Sequence, residues 1–173
     1  MIKKIISFFI LAMMIVFLTS GCRSENKSEN EITTMFSADF DAEYKDMTIQ
    51  GSIVAGVHGN TEIKFTYPET ISGLSVTYKE GDIQLGINSL QSTADETYLP
   101  DESLPKIIYS VVNVLMNIGD SVPENAENYT TYQIDLSQGK CDLTVNSNGF
   151  LTEADIKDKD VKIIFYNHLI TNY

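Results

Sequence analysis

The chain has 173 residues, with 12 basic and 24 acidic side chains, two histidines and two cysteines. A net charge of −12 with a single arginine, Arg23, excludes nucleic acid and anionic lipid headgroups as favoured partners of its surface. Two cysteines offer no disulfide framework, and a chain of this length buries roughly two thirds of its unfolded surface without one.

The first element is a leader. Lys3 and Lys4 precede an apolar run from Ile5 to Leu18, and Thr19, Ser20 and Gly21 lead directly into Cys22. That order is the layout of a secretory signal peptide over residues 1–21. The run is 14 residues long, and a spanning helix needs about 20. Cys22 directly after small residues resembles the lipobox of bacterial lipoproteins, with Thr19 where Leu is usual. The resemblance implies cleavage before Cys22 and diacylation of its thiol by chains such as palmitate. The protein would then be extracytoplasmic and lipid-anchored to the cell membrane without spanning it. Residues 22–31 form the lipidated cysteine and a flexible tether, because 23–31 contain no apolar side chain. With Lys3 and Lys4 removed, ten basic and 24 acidic residues remain, a net of −14.

Residues 32–173 read as one domain. Phe36, Ala38, Phe40, Ala42 and Tyr44 alternate with Ser37, Asp39, Asp41 and Glu43, the period of a half-buried strand. After Lys45-Asp46 the phase restarts with Met47, Ile49, Gly51, Ile53, Ala55 and Val57. His58-Gly59-Asn60 marks a turn, and Thr61, Ile63, Phe65 and Tyr67 make a third strand. Leu74, Val76 and Tyr78 follow the break at Pro68 to Gly73, and Ile83, Leu85 and Ile87 follow Glu80-Gly81-Asp82. This is an antiparallel meander with one apolar face.

The period then changes to that of an amphipathic helix, through Leu104, Ile107, Ile108, Val111, Val112, Leu115 and Met116. Asp101 or Ser103 can cap it, Pro105 fits its first turn, and Gly119 suits its end. Asp120 to Asn128 is a polar link. Strands return with Tyr132, Ile134 and Leu136, then Cys141, Leu143 and Val145, and Asn148-Gly149 is a strong hairpin signal. Phe150 to Ile156 and Val161 to Tyr166 close the pattern.

The fold class is therefore mainly β (α+β): a curled antiparallel sheet, or incomplete β-barrel, of about nine strands with one amphipathic helix inserted after the fifth. A helix of about 15 residues, roughly 22 Å long, covers only part of such a sheet, so the sheet must curl. The result is an apolar hollow with a helix across its mouth, filled either by side chains or by a ligand.

The segment Phe65-Thr-Tyr-Pro68-Glu-Thr-Ile-Ser-Gly73-Leu-Ser-Val-Thr-Tyr78, then Gly81-Asp82, resembles LolA/LolB-like lipoprotein carriers. The helix after an early meander and the late strand beginning Gly149-Phe-Leu-Thr are similar too, so the likeness spans most of residues 32–168. It implies an incomplete antiparallel barrel, a LolA/LolB-like half-barrel over 32–173, that carries acyl chains in its cavity. Related lipoproteins of spore-forming bacteria serve instead as partners of cell-wall enzymes. Two departures stand out. The carrier's barrel arginine has no counterpart after Arg23, and the polar stretch 23–31 cannot supply the carrier's N-terminal helix. An anchored, LolB-like protein fits these departures better than a gated shuttle.

No catalytic constellation accompanies this layout. His58 and His168 lack metal-ligand spacing and read as surface residues, and no Gly-x-Ser-x-Gly elbow occurs. Asp155, Asp158 and Asp160 read as a solvated turn without the Gly and distal Glu of a calcium loop. Asn26 and Asn128 head glycosylation sequons that a bacterial lipoprotein leaves idle. Cys141 alternates with Leu143 and Val145 and reads as a small buried apolar residue. The expectation is a non-enzyme without cofactor or metal, lipidated at Cys22. An acyl chain or other apolar ligand would lie against Phe36, Phe40, Ile49, Ile53, Phe65, Val76, Leu85, Val111 and Leu115. The alternative is an envelope interaction protein with a packed core, acting as partner of a cell-wall enzyme.

Overall fold

In a computed structural model of the chain, the described residues are 32–118, 121 and 123–171, without the side chain of His58. The leader, Cys22, the tether with Arg23 and Asn26, and Gly119 lie outside them. Among the described residues no helix is long and apolar enough to cross a membrane.

Strands form wherever the period of two runs. β1 (Phe36–Tyr44) and β2 (Met47–Ala55) make a hairpin. Its two turn residues, Lys45 and Asp46, have φ of 48° and 63°, the paired left-handed geometry that matches strand twist. β3 (Thr61–Tyr67), β4 (Leu74–Lys79), β5 (Asp82–Ile87) and β6 (Leu90–Asp95) extend the meander. The helix α1 (Leu104–Leu115) follows, and β7 (Pro123–Asn125), β8 (Tyr129–Leu136), β9 (Gly139–Asn146), β10 (Leu151–Ile156) and β11 (Val161–Ile170) complete the domain.

All pairings are antiparallel, in the order β6-β5-β4-β3-β2-β1-β11-β10-β9-β8-β7. The sheet has 11 strands and does not close into a barrel. It is the curled sheet with one helix that the pattern predicts, with short strands β6 and β7 added at its two edges. The helix consequently follows the sixth strand. β1 and β11 pair in mid-sheet, so the chain must pass from one outer edge to the other between β6 and β7. That crossing carries α1 over the apolar face.

The helix buries Leu104, Ile107, Ile108, Val111, Val112 and Leu115, all of the expected stripe except the half-buried Met116. Each buried aliphatic side chain contributes roughly 1.5–3 kcal/mol of transfer free energy, an upper range for a partly compact unfolded state. Ser103 occupies the N-cap position, but its hydroxyl donates to the Pro100 carbonyl at 2.7 Å instead of capping the helix. The last turn closes through the Met116 N–H, shared between the Asn113 and Val114 carbonyls.

Candidate functional site: the apolar face beneath the helix

Both halves of the sheet reach the helix. Tyr109 of α1 stacks on Tyr78 of β4, with ring centroids 4.0 Å apart and planes 6° apart. From the other half, the buried Gln138 in the β8–β9 turn donates through Nε2 to Ser110 Oγ at 3.3 Å and to the Asp101 carbonyl at 3.0 Å. The sheet thus curls around α1, and one continuous apolar core lies between them.

Eight of the nine residues expected to line a ligand site belong to that core. Phe36, Phe40, Ile49, Ile53, Phe65, Val76, Val111 and Leu115 are buried, and Leu85 is partly buried against the same cluster. Phe40 meets Phe65 edge-on at 6.1 Å and lies across β2 at Gly51, its direct partner in the β1–β2 ladder. Side chains therefore occupy this part of the face themselves. Met47, Val57 and Tyr67, in the apolar phase of their segments, are exposed where those segments run out.

One end of the face is polar. Tyr78 and Tyr109 gather there with Lys106, whose Nζ lies 6.0 and 5.9 Å from the two tyrosine ring centroids. Lys106 also pairs with Glu96 at 3.7 Å. Burial above all, then the Glu96 carboxylate, raises the Tyr78 hydroxyl far above its usual range. The alternation of β4 puts Tyr78 in the apolar phase but does not show that its hydroxyl is enclosed, because the enclosing Tyr109 comes from a different element.

His168 departs from its expected surface position. A bulge between Ser37 and Asp39 in the β1–β11 ladder, with Asn167 at φ 55°, shifts the phase of β11. His168 then turns inward, stacked on Phe150 at 4.9 Å and 5.9 Å from Phe36, with Nε2 2.6 Å from the Leu151 carbonyl. Asp158 and Asp160 sit at the β10–β11 turn and Asp155 at the end of β10. Among the described residues no group of three His, Cys, Asp or Glu is placed to hold a metal.

Cys141 is fully buried. Burial, followed by the Asp142 carboxylate, pushes its thiol from 9.0 up to about 12. The unfolded chain loses this proton first, so stability contributed by the neutral thiol is present below about pH 9 and lost as pH rises toward 12. The share of the slope due to this thiol is at most about 1.4 kcal/mol per pH unit, and Cys141→Ala should lack it. Urea midpoints of both proteins at a series of alkaline pH values check this, and equal slopes would refute it.

These features define a class by architecture: an open, curled antiparallel sheet cupping one amphipathic helix over an apolar face. No protein-family model and no curated protein matches the chain. Among solved structures it is similar to an uncharacterized conserved protein from Thermus thermophilus. That pair shares a TM-score of 0.51 at 8% identity, covering 84% of this chain and 83% of that one, and hence the overall fold. A LolA superfamily protein, NE2245 from Nitrosomonas europaea, is similar at TM-score 0.41 and 11% identity, over 82% of this chain and 88% of that one. LprF from Mycobacterium bovis is similar at 0.38 and 12%, over 81% and 90%.

Proposed function

We propose that this chain is a lipid-anchored extracytoplasmic protein that binds an acyl chain or other apolar ligand between the curled sheet and α1. The observation that supports it best is the single apolar surface drawn from both halves of the sheet and covered by one helix. Phe36, Phe40, Ile49, Ile53, Phe65, Val76, Leu85, Val111 and Leu115 would line the site. Each buried methylene would contribute about 0.8 kcal/mol, with no bond made or broken. Because Phe40 and Phe65 fill part of the face, ligand entry requires α1 to yield. The anchor would be diacylated Cys22, with residues 23–31 as its tether.

The test has two readouts on protein from an expressing bacterium. The membrane-extracted chain should have the mass expected for loss of residues 1–21 plus a diacylglycerol, and Cys22→Ser should lack the lipid. The chain from residue 22 onward, carrying Cys22→Ser, should show a bound lipid by native mass spectrometry, lost on organic extraction. A clean apo mass with no uptake of added fatty acid would refute the ligand reading. It would leave the packed-core interaction protein, whose partner would pair with the β6 edge. That strand is exposed over most of its length and carries one charge, Asp95.

A further inference from the structure

The polar end of the face contains a group that folding alone does not explain. Tyr78 is 1% exposed, yet among the described residues its hydroxyl has no hydrogen-bond partner. Asn60 Oδ1 is likewise buried without one. Leaving a buried hydroxyl unsatisfied costs roughly 1–3 kcal/mol, a cost that Phe in place of Tyr would avoid.

The surroundings hold the hydroxyl in place. The Tyr78 ring is clamped by Tyr109 at 4.0 Å. Val76, its neighbour but one on β4, and Ile83, its ladder partner on β5, are buried core residues. The hydroxyl therefore marks the point where the apolar face ends in a hydrogen-bond donor. A phenol is neutral at physiological pH, and burial raises the pKa of this one further, so it acts as an O–H donor.

We propose that the Tyr78 hydroxyl anchors the oxygen head of the apolar ligand. The ligand class is an acyl chain ending in a neutral carboxyl or ester, whose carbonyl oxygen accepts from Tyr78. This rests on the apolar-ligand reading above and adds an orientation, with the head at the β3–β4 end of the face and the chain running along the core. The Lys106 ammonium at this end is already paired with Glu96, so an uncharged head suits the site better than a carboxylate short of partners.

Tyr78→Phe separates this role from a structural one by giving two effects of opposite sign. The apo variant should be as stable as wild type or more so, because the unsatisfied hydroxyl is gone. Its affinity for a fatty-acid methyl ester bearing a fluorophore at the chain end should fall about tenfold, the scale of one lost hydrogen bond. The measurements are urea midpoints without ligand and fluorescence titrations of the chain from residue 22 carrying Cys22→Ser. Binding within twofold of wild type in Tyr78→Phe, or a clear loss of apo stability, overturns the anchor while leaving the ligand reading intact. No uptake by the unmodified face overturns both.

Discussion

Val111→Asp should remove at least about 4 kcal/mol of stability, enough to unfold a domain whose total is on the order of 5–15 kcal/mol. Val111 is fully buried, and Ile107, Ile108, Val112 and Leu115 around it on α1 are buried too. A carboxylate there must stay charged in an apolar site or take up a proton with a raised pKa. Because the folded state then holds the proton more tightly, the loss should shrink as pH falls from about 8 to 5. Asn113→Asp, on the exposed side of the same helix, should stay within about 0.5 kcal/mol of wild type. Urea denaturation of the two variants at both pH values tests the packing of α1. A Val111→Asp cost below about 2 kcal/mol would mean the helix is not seated on the sheet as described.

Gly51→Ala should cost about 3 kcal/mol or more, at the upper end for overpacking. A Cβ at Gly51 would stand 2.1 Å from the Lys64 carbonyl oxygen and 2.7 Å from Phe40 Cζ. The first contact is backbone of β3, so relief requires shifting a strand, and the second is a ring already held edge-on by Phe65. An aromatic side chain laid over a strand glycine covers backbone that would otherwise lose its packing. Gly56→Ala is the matched comparison: its nearest atom would be 3.5 Å away and its φ is −113°. That change should be neutral or stabilising by up to about 1 kcal/mol through the unfolded state. Equal costs at the two glycines, read from urea midpoints, would show that the close approach of Phe40 and β3 at Gly51 does not limit the fold.

Much of the domain is legible because burial on one side imposes a period. Phe36 to Ala42, Ile49 to Ala55 and Leu104 to Leu115 carry that period clearly, and each buries the side it specifies. β6 has no such imprint. Leu90-Gln-Ser-Thr-Ala-Asp is exposed along nearly its whole length, so no buried face selects its residues, and its pairing with β5 is all that makes it a strand. β7 begins at Pro123 and has three residues, too few for any period to register.

Local periodicity and turn chemistry were enough to settle the fold class, the apolar stripe of α1 and most of the core face. Whatever depends on two distant segments meeting had to wait for the folded chain. The bulge opposite Ser37 and Asp39 turns His168 inward between Phe36 and Phe150, a phase change no residue count along β11 announces. Gln138 meets Asp101 and Ser110 across 37 and 28 residues of chain. Tyr109, arriving on the crossing helix, encloses the Tyr78 hydroxyl. Enclosure is a property of packed neighbours, and those neighbours are chosen by the passage from the β6 edge to the β7 edge rather than by any local pattern.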